Sequence, residues 1–200
     1  MITFIDLCEK EPYEVFKKLY VKAQNAGQKA IEAVAVSNFN DAERMVDSRF
    51  VNLKYIKNNE WIFFSNYNSP KSKALIEPNN RVSVLVYWQS INVQVRIKAN
   101  IFKTNEKFSD QHFLSRDKHK NALAISSDQS RKVDSFSNIK SKFDDTLKQK
   151  SLLMTRPSYW GGFSFIPFYF EFWEGQEFRL NKREVYEEIN GDWIKYTLQP

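Results

Sequence analysis

The chain has 200 residues and a net charge of +6; 42% of its residues are hydrophobic and 27% are charged. These values are typical of a single globular domain whose core is large enough to fold without a disulfide or a structural metal. The one cysteine, Cys8, excludes an internal disulfide, and with only two histidines the chain cannot build a zinc site from cysteine and histidine.

A helix is predicted over residues 12–25. Pro12 suits a first helical turn, and Gly27 is a typical end signal. Apolar residues recur at the three- and four-residue spacing of an amphipathic helix. They are Tyr13, Phe16, Leu19, Tyr20 and Ala23. A short apolar strand is predicted next, over residues 33–36.

Between residues 49 and 102 the hydrophobic period changes to two, which predicts strands at 49–55, 61–65, 81–88 and 91–102. The last strand is the clearest, because apolar residues alternate with polar ones from Ile91 to Ile101. This alternation indicates a sheet with one buried and one polar face. Ser69 as N-cap and Pro70 as first residue predict a short helix between the second and third of these strands, ending before Pro78.

Residues 104–150 are predicted to be helical and polar, with few apolar positions. Strands return at 160–167, 168–174, 178–181 and 185–189, and Asn190-Gly191 predicts a type I′ turn into a last strand at 193–198. Strands, then helices, then strands, without regular alternation of the two, favour a mainly β fold. We expect an antiparallel barrel or sandwich with flanking helices.

Nothing in the sequence predicts a membrane or secreted protein. No apolar run approaches the roughly 18 residues of a membrane helix. The first residues, Met1 to Asp6, lack the basic flank and long apolar stretch of a secretory signal. Together with the single cysteine, these features predict a cytoplasmic protein without a membrane partner.

The charged residues favour an anionic ligand, but only weakly. Thirty basic residues stand against twenty-four acidic ones. Only five glycines are present and none forms a glycine-rich loop before a helix, so a bound phosphate would be held by basic and hydroxyl side chains. Taken singly, a lysine or an arginine is more often a solvated surface charge than a residue that binds a ligand. Composition and spacing alone therefore predict no more than a β protein able to bind phosphate.

Eight short motifs in a fixed order resemble the pyridoxamine 5′-phosphate oxidase family over residues 11–200. They are 49–54 (RFVNLK), 63–71 (FFSNYNSPK), 94–97 (QVRI), 112–116 (HFLSR), 128–130 (DQS), 157–162 (PSYWGG), 171–175 (EFWEG) and 179–183 (RLNKR). The resemblance implies a mainly β, antiparallel FMN-binding split β-barrel with flanking helices, forming a homodimer with FMN at the subunit interface. It implies one domain over residues 1–200, with an N-terminal arm at 1–10 and dimerisation and active-site strands at 157–200.

The resemblance also implies an activity and assigns roles to residues. The activity is FMN-dependent oxidation of pyridoxamine or pyridoxine 5′-phosphate to pyridoxal 5′-phosphate, with oxygen as the electron acceptor. FMN contacts carry over to Arg49, Lys54, Phe64, Ser65, Lys71, Gln94, Gln129, Ser130, Trp173 and Arg183. Contacts with a phosphorylated pyridine substrate carry over to Lys54, His112, Arg116, Lys120 and Arg179. The catalytic positions correspond to Arg179 and Asn181, and no metal is implied.

Five residues depart from the family pattern, mainly in the substrate pocket. Asn181 replaces a histidine, His112 a tyrosine, Lys120 a serine, Pro70 an arginine and Phe64 a tyrosine. The N-terminal segment that covers the active site in the family is expected to be short or absent. The flavin site is therefore expected to be kept, while the pocket above it is either retuned or serves a different substrate.

Two alternatives stay open beside the first prediction. The departures favour a related FMN oxidoreductase with another substrate, such as a phenazine-type compound. The third hypothesis is a non-enzymatic protein that binds flavin, or nucleic acid through its net charge. The nucleic-acid version is weak because the basic residues are scattered and the aromatic residues occupy predicted core positions, so we expect no nucleic-acid partner.

Overall fold

The computed structural model describes residues 1–41, 43–75 and 80–200, and these residues form one ten-stranded sheet with five helices around it. The strands are β1 (Thr3–Ile5), β2 (Ala33–Asn40), β3 (Met45–Asn52), β4 (Tyr55–Lys57), β5 (Glu60–Asn66), β6 (Arg81–Trp88), β7 (Val93–Lys103), β8 (Trp160–Glu174), β9 (Lys182–Ile189) and β10 (Asp192–Thr197). The helices are α1 (Glu11–Asn25), α2 (Pro70–Ala74), α3 (Glu106–Ser115), α4 (Lys118–Ser126) and α5 (Phe136–Lys148).

The strands follow the order β1-β4-β5-β8-β7-β6-β2-β3, so the sheet is an open, curved wall and not a closed barrel. β9 pairs with β8, and β10 with β9. All pairs are antiparallel except β1 with β4, which are parallel. Residues 1–10, predicted as an arm, thus contribute a strand to the sheet edge, and Ile2 is buried in the core.

The predicted alternation of the central strand is confirmed in β7. Val93, Val95, Ile97, Ala99 and Ile101 are all buried, while the residues between them are exposed or half-buried. The strand begins two residues later than predicted, because residues 89–91 form a 3₁₀ turn followed by a left-handed residue. One face of β7 therefore forms the core, and the other is free to carry polar side chains.

Helix α1 matches the predicted amphipathic helix and covers the core. Its buried face presents Tyr13, Phe16, Tyr20 and Ala23 to the sheet. The Phe16 ring meets the indole of Trp61 edge-on, with 4.4 Å between ring centroids. Such aromatic contacts add to the stabilisation that burial of the rings provides.

β8 is one strand of 15 residues, so the prediction of two strands at 160–167 and 168–174 was wrong. The register against β7 shifts between Lys98 and Ala99, whose partners are Tyr169 and Pro167, so Phe168 is an extra residue in a β-bulge. A bulge accommodates proline, which has no N–H for the ladder. The first half of β8 pairs with β5 and the second half with β9, which is how the sheet branches.

Two further predictions need correction. The predicted strand at 178–181 is a 3₁₀ turn at Glu177–Arg179, in which Phe178 and Arg179 have φ angles of +55° and +62°. The predicted strand at 49–55 ends at Asn52, so Lys54 follows the strand and does not share it with Arg49.

The type I′ turn is supported, since Asn190 and Gly191 both have positive φ (53° and 89°).

The polar segment at 104–150 contains α3, α4 and α5, joined by short loops and a longer one at 127–135. Ser69 and Pro70 begin α2 as predicted, although the Ser69 hydroxyl donates to the carbonyl oxygen of Asn66 and does not cap the helix. The end of that predicted helix, before Pro78, lies outside the described residues. Among the residues that are described, no helix is long and apolar enough to cross a membrane.

Candidate functional site

A cavity of about 520 Å³ opens beside β3 and β5, beneath helices α3 and α4. We call it the basic cavity. Its lining residues are Phe50, Val51, Asn52, Lys54, Phe64, Ser65, Lys71, His112, Ser115, Arg116, Asp117, Lys120, Gln129 and Trp160. Eight of the residues assigned to FMN or substrate line it. They are Lys54, Phe64, Ser65, Lys71, His112, Arg116, Lys120 and Gln129.

The fold brings these residues together from distant parts of the chain. Lys54 lies between the end of β3 and the start of β4, and Ser65 lies near the end of β5. Lys71 lies in the first turn of α2, whose start is fixed by Ser69 and Ser72 hydroxyls that both donate to the Asn66 carbonyl oxygen. The site therefore depends on the sheet and on three helical segments at once.

The basic cavity carries a surplus of positive charge. Four cations, Lys54, Lys71, Arg116 and Lys120, line it against one carboxylate, Asp117, which caps α4 through the backbone N–H of His119. No carboxylate of the described residues lies within 4.0 Å of the charged nitrogens of Lys71, Arg116 or Lys120. Burial lowers the pKa of Lys71, and the Arg49 guanidinium lowers it further. Lys54 is 4.0 Å from the carboxylate of Glu32, but the remaining surplus of cations favours an anionic ligand.

Arg116 is the cation most clearly prepared for a ligand. Its Nη1 is buried without a hydrogen-bond partner among the described residues, and burial lowers the pKa of the guanidinium to about 10. Its Nη2 donates to the carbonyl oxygen of Lys120 at 3.4 Å. The guanidinium carbon lies 4.3 Å from the ring centroid of Trp160, which is within cation–π distance. An orphaned buried N–H is costly, and a phosphate oxygen would satisfy it.

A stack of three rings forms one wall of the basic cavity. The imidazole of His112 lies over the ring of Phe64, with centroids 3.7 Å apart and planes 13° from parallel. The Trp160 ring is nearly parallel to both, with its centroid 5.3 Å from that of Phe64 and 6.2 Å from that of His112. This flat, apolar surface next to cations suits a ligand that has both an aromatic ring and a phosphate.

His112 is held neutral inside this wall. Burial lowers the pKa of its imidazole to about 4, and the charges of Arg116 and Lys54 add to the effect. Its Nδ1 is 2.9 Å from the hydroxyl oxygen of Tyr55, a residue of β4. His112 thus offers a hydrogen bond to a ligand and not a positive charge at neutral pH.

The depressed pKa of His112 predicts a pH-dependent loss of stability. Below a pH of about 6.5 the unfolded chain takes up a proton at this histidine while the folded one does not, so unfolding becomes easier as the pH falls towards 4. Because His112 is half-buried, we expect about 1–2 kcal/mol between pH 7 and pH 4.5. The free energy of unfolding from urea titrations should fall between these two pH values by this much more in the wild type than in His112→Gln. Parallel curves would contradict the prediction.

Two polar residues assigned to FMN are already engaged within the chain. Arg49 donates from Nη1 to the side-chain oxygen of Asn38 and, at 3.3 Å, to the carbonyl oxygen of Val36. Oε1 of Gln129 accepts from the Ser65 hydroxyl at 3.4 Å and from the Asn66 backbone N–H at 3.3 Å. Arg49 itself does not line the cavity, but its positive charge lowers the pKa of Lys71.

Three of the residues assigned to FMN lie elsewhere, in a row across neighbouring strands that we call the strand row. Gln94 of β7 pairs with Trp173 of β8, and Trp173 pairs with Arg183 of β9. Arg183 is oriented by Glu171, whose carboxylate accepts from Arg183 Nε at 2.9 Å and from Arg96 Nη1 at 2.9 Å. None of the three lines the basic cavity of the same chain.

The other assigned residues also lie outside the basic cavity. Ser130 has a φ angle of +68° and lines a separate cavity of about 370 Å³ between α4 and α5. Arg179 is exposed in the 3₁₀ turn, and the side-chain oxygen of Asn181 accepts from the backbone N–H of Gln176. The structure therefore places most of the assigned residues in or next to the basic cavity or around the end of β8 and the start of β9, with Ser130 apart from both.

Three residues of the site escaped the sequence analysis. Trp160 directly precedes the Gly161-Gly162 pair of a quoted motif, but a tryptophan seen alone is more often part of a core than of a ligand site. Tyr55 follows Lys54 in the chain, but its partner His112 is 57 residues away and no local pattern links them. Glu171 lies in a quoted motif, yet only the strand pairing shows that it holds two arginines.

Comparison with known proteins places this geometry among relatives. Residues 160–200 match the family model described as "Pyridoxine 5′-phosphate oxidase C-terminal dimerisation region". The pyridoxine/pyridoxamine 5′-phosphate oxidase of Colwellia psychrerythraea is 32% identical, over 94% of this chain and 87% of the relative. The enzyme of the same name from Actinobacillus pleuropneumoniae is 33% identical, over 96% of this chain and 91% of the relative.

Two solved structures are similar in fold. PhzG from Burkholderia lata 383, in complex with tetrahydrophenazine-1-carboxylic acid, is 25% identical, with a TM-score of 0.89 over 95% of this chain and 93% of that one. An FMN-binding protein from Nostoc punctiforme, related to pyridoxamine 5′-phosphate oxidase, is 9% identical, with a TM-score of 0.78 over 96% and 99% of the two chains. The second likeness concerns the fold alone, which is the predicted split barrel.

Proposed function

Since this chain belongs to the pyridoxine/pyridoxamine 5′-phosphate oxidase family, we propose that it oxidises pyridoxine or pyridoxamine 5′-phosphate to pyridoxal 5′-phosphate, using FMN and oxygen. Family membership makes the protein an oxidoreductase. The observation that carries the choice of substrate is the basic cavity, where Lys71, Arg116 and Lys120, with no carboxylate of the described residues within 4.0 Å, stand beside a flat aromatic wall. A phosphorylated pyridine has the same two properties, a dianionic group and a flat ring.

The donor set of the basic cavity also fits the phosphate of FMN. Lys71 and Ser65 supply a charge and a hydroxyl on one side, with Arg49 behind them, while Arg116 and Lys120 supply charges on the other side. We propose that the first group holds the FMN phosphate and the second the substrate phosphate, with Lys54 near both. FMN, when bound, supplies the two-electron acceptor that no side chain of the protein provides.

The part of the protein in this reaction is to bind and orient. Arg116, Lys120 and His112 anchor the substrate phosphate, and the anchored phosphate fixes where the substrate ring lies. Arg179 is proposed to orient that ring. Asn181 follows Arg179 in the chain, with Leu180 between them. Asn181 cannot supply a proton or a charge, so we propose that it contributes hydrogen bonds alone.

We further propose that the active site is completed by a second copy of this chain. β3 is an edge strand of the sheet, and its Met45, Val46 and Phe50 are 62–76% exposed. Phe50 also lines the basic cavity, so the cavity opens towards this apolar edge. Exposed apolar groups of this kind mark interfaces. A partner subunit seated there would bring its strand row and its Arg179 to the FMN held by the first subunit.

A second candidate is an oxidase of the same fold that acts on a tricyclic carboxylate. The likeness to PhzG, whose structure holds tetrahydrophenazine-1-carboxylic acid, and the departures at His112, Lys120 and Asn181 favour it. Against it stands the number of cations in the basic cavity, which exceeds what one carboxylate needs. The two candidates therefore differ in whether the substrate carries a phosphate.

One experiment tests the proposal. The purified protein should show the visible absorbance of bound flavin and should release hydrogen peroxide with pyridoxine 5′-phosphate or pyridoxamine 5′-phosphate. Pyridoxine without the phosphate should turn over far less efficiently, because the basic cavity would hold no anion. Peroxide from a reduced phenazine carboxylate alone would favour the second candidate. A colourless protein that does not bind added FMN would refute both candidates.

A further inference from the structure

The proposed function gives no role to the contact between Tyr55 and His112, a residue that lines the basic cavity. The Tyr55 hydroxyl oxygen and His112 Nδ1 are 2.9 Å apart, and the two rings meet edge-on at 86°. Tyr55 is itself fixed, since its ring packs edge-on against Phe64 and Phe108. His112 is clamped from the other side by its stack on Phe64. The imidazole therefore has one defined orientation.

Two hydrogen arrangements are compatible with this distance. Either the phenol donates to a bare Nδ1, which leaves the imidazole hydrogen on Nε2, or Nδ1–H donates to the phenol oxygen and Nε2 is bare. His112 Nε2 makes no hydrogen bond with any of the described residues, so its state is set by the ligand and by Tyr55. Burial raises the pKa of Tyr55, so the phenol stays protonated and is able to donate.

The charge of the basic cavity decides between the two arrangements. Lys54, Arg116 and Lys120 draw an anionic oxygen towards His112. A bare Nε2 would present a lone pair to that oxygen and repel it, whereas an Nε2–H would donate to it. The neutral ring can make this hydrogen bond without adding a fifth cation to the cavity.

We propose that Tyr55 is a positioning residue, whose hydroxyl donates to His112 Nδ1 and thereby keeps the imidazole hydrogen on Nε2, ready for an anionic oxygen of the ligand. Tyr55 itself does not line the basic cavity and acts only through His112. The inference depends on the proposed function for the identity of the ligand, a phosphorylated pyridine. The hydrogen arrangement can be tested with inorganic phosphate alone.

The two histidines of the chain make the test direct. In protein labelled with ¹⁵N-histidine and saturated with FMN, long-range ¹H–¹⁵N spectra distinguish a ring N–H from a bare ring nitrogen, and His119→Gln assigns the signals. We expect the hydrogen of His112 on Nε2, and a shift of this signal on addition of inorganic phosphate. In Tyr55→Phe we expect a mixture of both tautomers and a phosphate affinity about three- to tenfold lower, the worth of one hydrogen bond.

Tyr20→Phe is the matched control. Tyr20 is a buried tyrosine outside the basic cavity, whose hydroxyl oxygen accepts from the backbone N–H of Ile2 at 2.9 Å. This variant should bind phosphate like the wild type. Unchanged FMN affinity in Tyr55→Phe would show that its fold is intact. In turnover, the KM for the phosphorylated substrate should rise while kcat stays nearly constant.

The outcomes separate this inference from the proposed function. A hydrogen on Nδ1 in the wild type, or an unchanged phosphate affinity in Tyr55→Phe, would overturn the role of Tyr55 even if peroxide is formed. Conversely, the expected tautomer and the expected loss in Tyr55→Phe would support that role even if no pyridoxine phosphate is oxidised.

Discussion

Replacement of Arg116 by alanine should lower kcat/KM for pyridoxine 5′-phosphate about a hundredfold. Arg116 has a buried Nη1 without a hydrogen-bond partner among the described residues, and its guanidinium lies within cation–π distance of Trp160. A hydrogen bond between charged groups is worth about 1.5–3 kcal/mol, and an oriented guanidinium can make two of them. Most of the loss should appear in KM, because the phosphate is held in the ground state and in the transition state alike. Steady-state peroxide production measures both constants.

Three comparisons make this result specific. Arg116→Lys keeps the charge but not the planar fork, so its loss should be intermediate. Arg81→Ala removes an exposed arginine of β6 that lies over the ring of Phe168, outside the basic cavity, and should change neither constant. With pyridoxine, which has no phosphate, the wild type and Arg116→Ala should have nearly equal kcat/KM. An equal loss with both substrates would mean that Arg116 supports the fold and not the phosphate.

The elements that the sequence predicted well are those governed by local patterns. The alternation of β7 and the amphipathic face of α1 depend only on which side of an element meets the core, and the structure reproduces both. Asn190-Gly191 behaves likewise, because these two residues tolerate the positive φ angles of a type I′ turn. Such signals need no knowledge of distant residues.

The wrong predictions arose where tertiary structure overrides a local signal. Pro167 indicated the end of a strand, but a bulge at Phe168 lets β8 continue past it. Phe178 and Leu180 suggested an alternating strand, yet they are 91% and 70% exposed around a turn with positive φ. If a second subunit covers these two side chains, as the proposed dimer would allow, burial in the interface explains why apolar residues stand at these exposed positions.

The site itself could be predicted only through the family resemblance. Lys54 and Gln129 are 75 residues apart, and no spacing rule brings them into one cavity. Eight of the residues that the resemblance assigned line one cavity, as contacts with shared ligands would require. The resemblance could not supply the contact between Tyr55 and His112, since a histidine here replaces the tyrosine of the family. Residues particular to this chain become visible only when the folded neighbours are known.

Glu171 is the buried charge on which the strand row depends. Its side chain is 2% exposed and lies between Arg96 Nη1 at 2.9 Å and Arg183 Nη2 at 2.8 Å, and it accepts from the Tyr169 hydroxyl at 3.2 Å. A buried carboxylate is tolerated only when it is paired and hydrogen-bonded on all sides. The arginines are less buried, with side chains 48% and 24% exposed. Removing the carboxylate would leave two neighbouring cations that repel each other and turn towards water.

We therefore expect Glu171→Gln to lower the free energy of unfolding by about 2–3 kcal/mol, somewhat less than for a fully buried pair, because both arginines reach solvent. FMN affinity should fall as well, because Arg183 loses its orientation. Urea titration at fixed protein and FMN concentrations measures the first effect, and flavin fluorescence the second. Glu184→Gln is the control, since its pairs with Lys182 and Lys195 lie nearer the surface and are worth less than about 1 kcal/mol. Equal losses of stability in the two variants would show that Glu171 contributes no more than a surface charge. Unchanged FMN affinity in Glu171→Gln would show that the orientation of Arg183 does not matter for flavin binding.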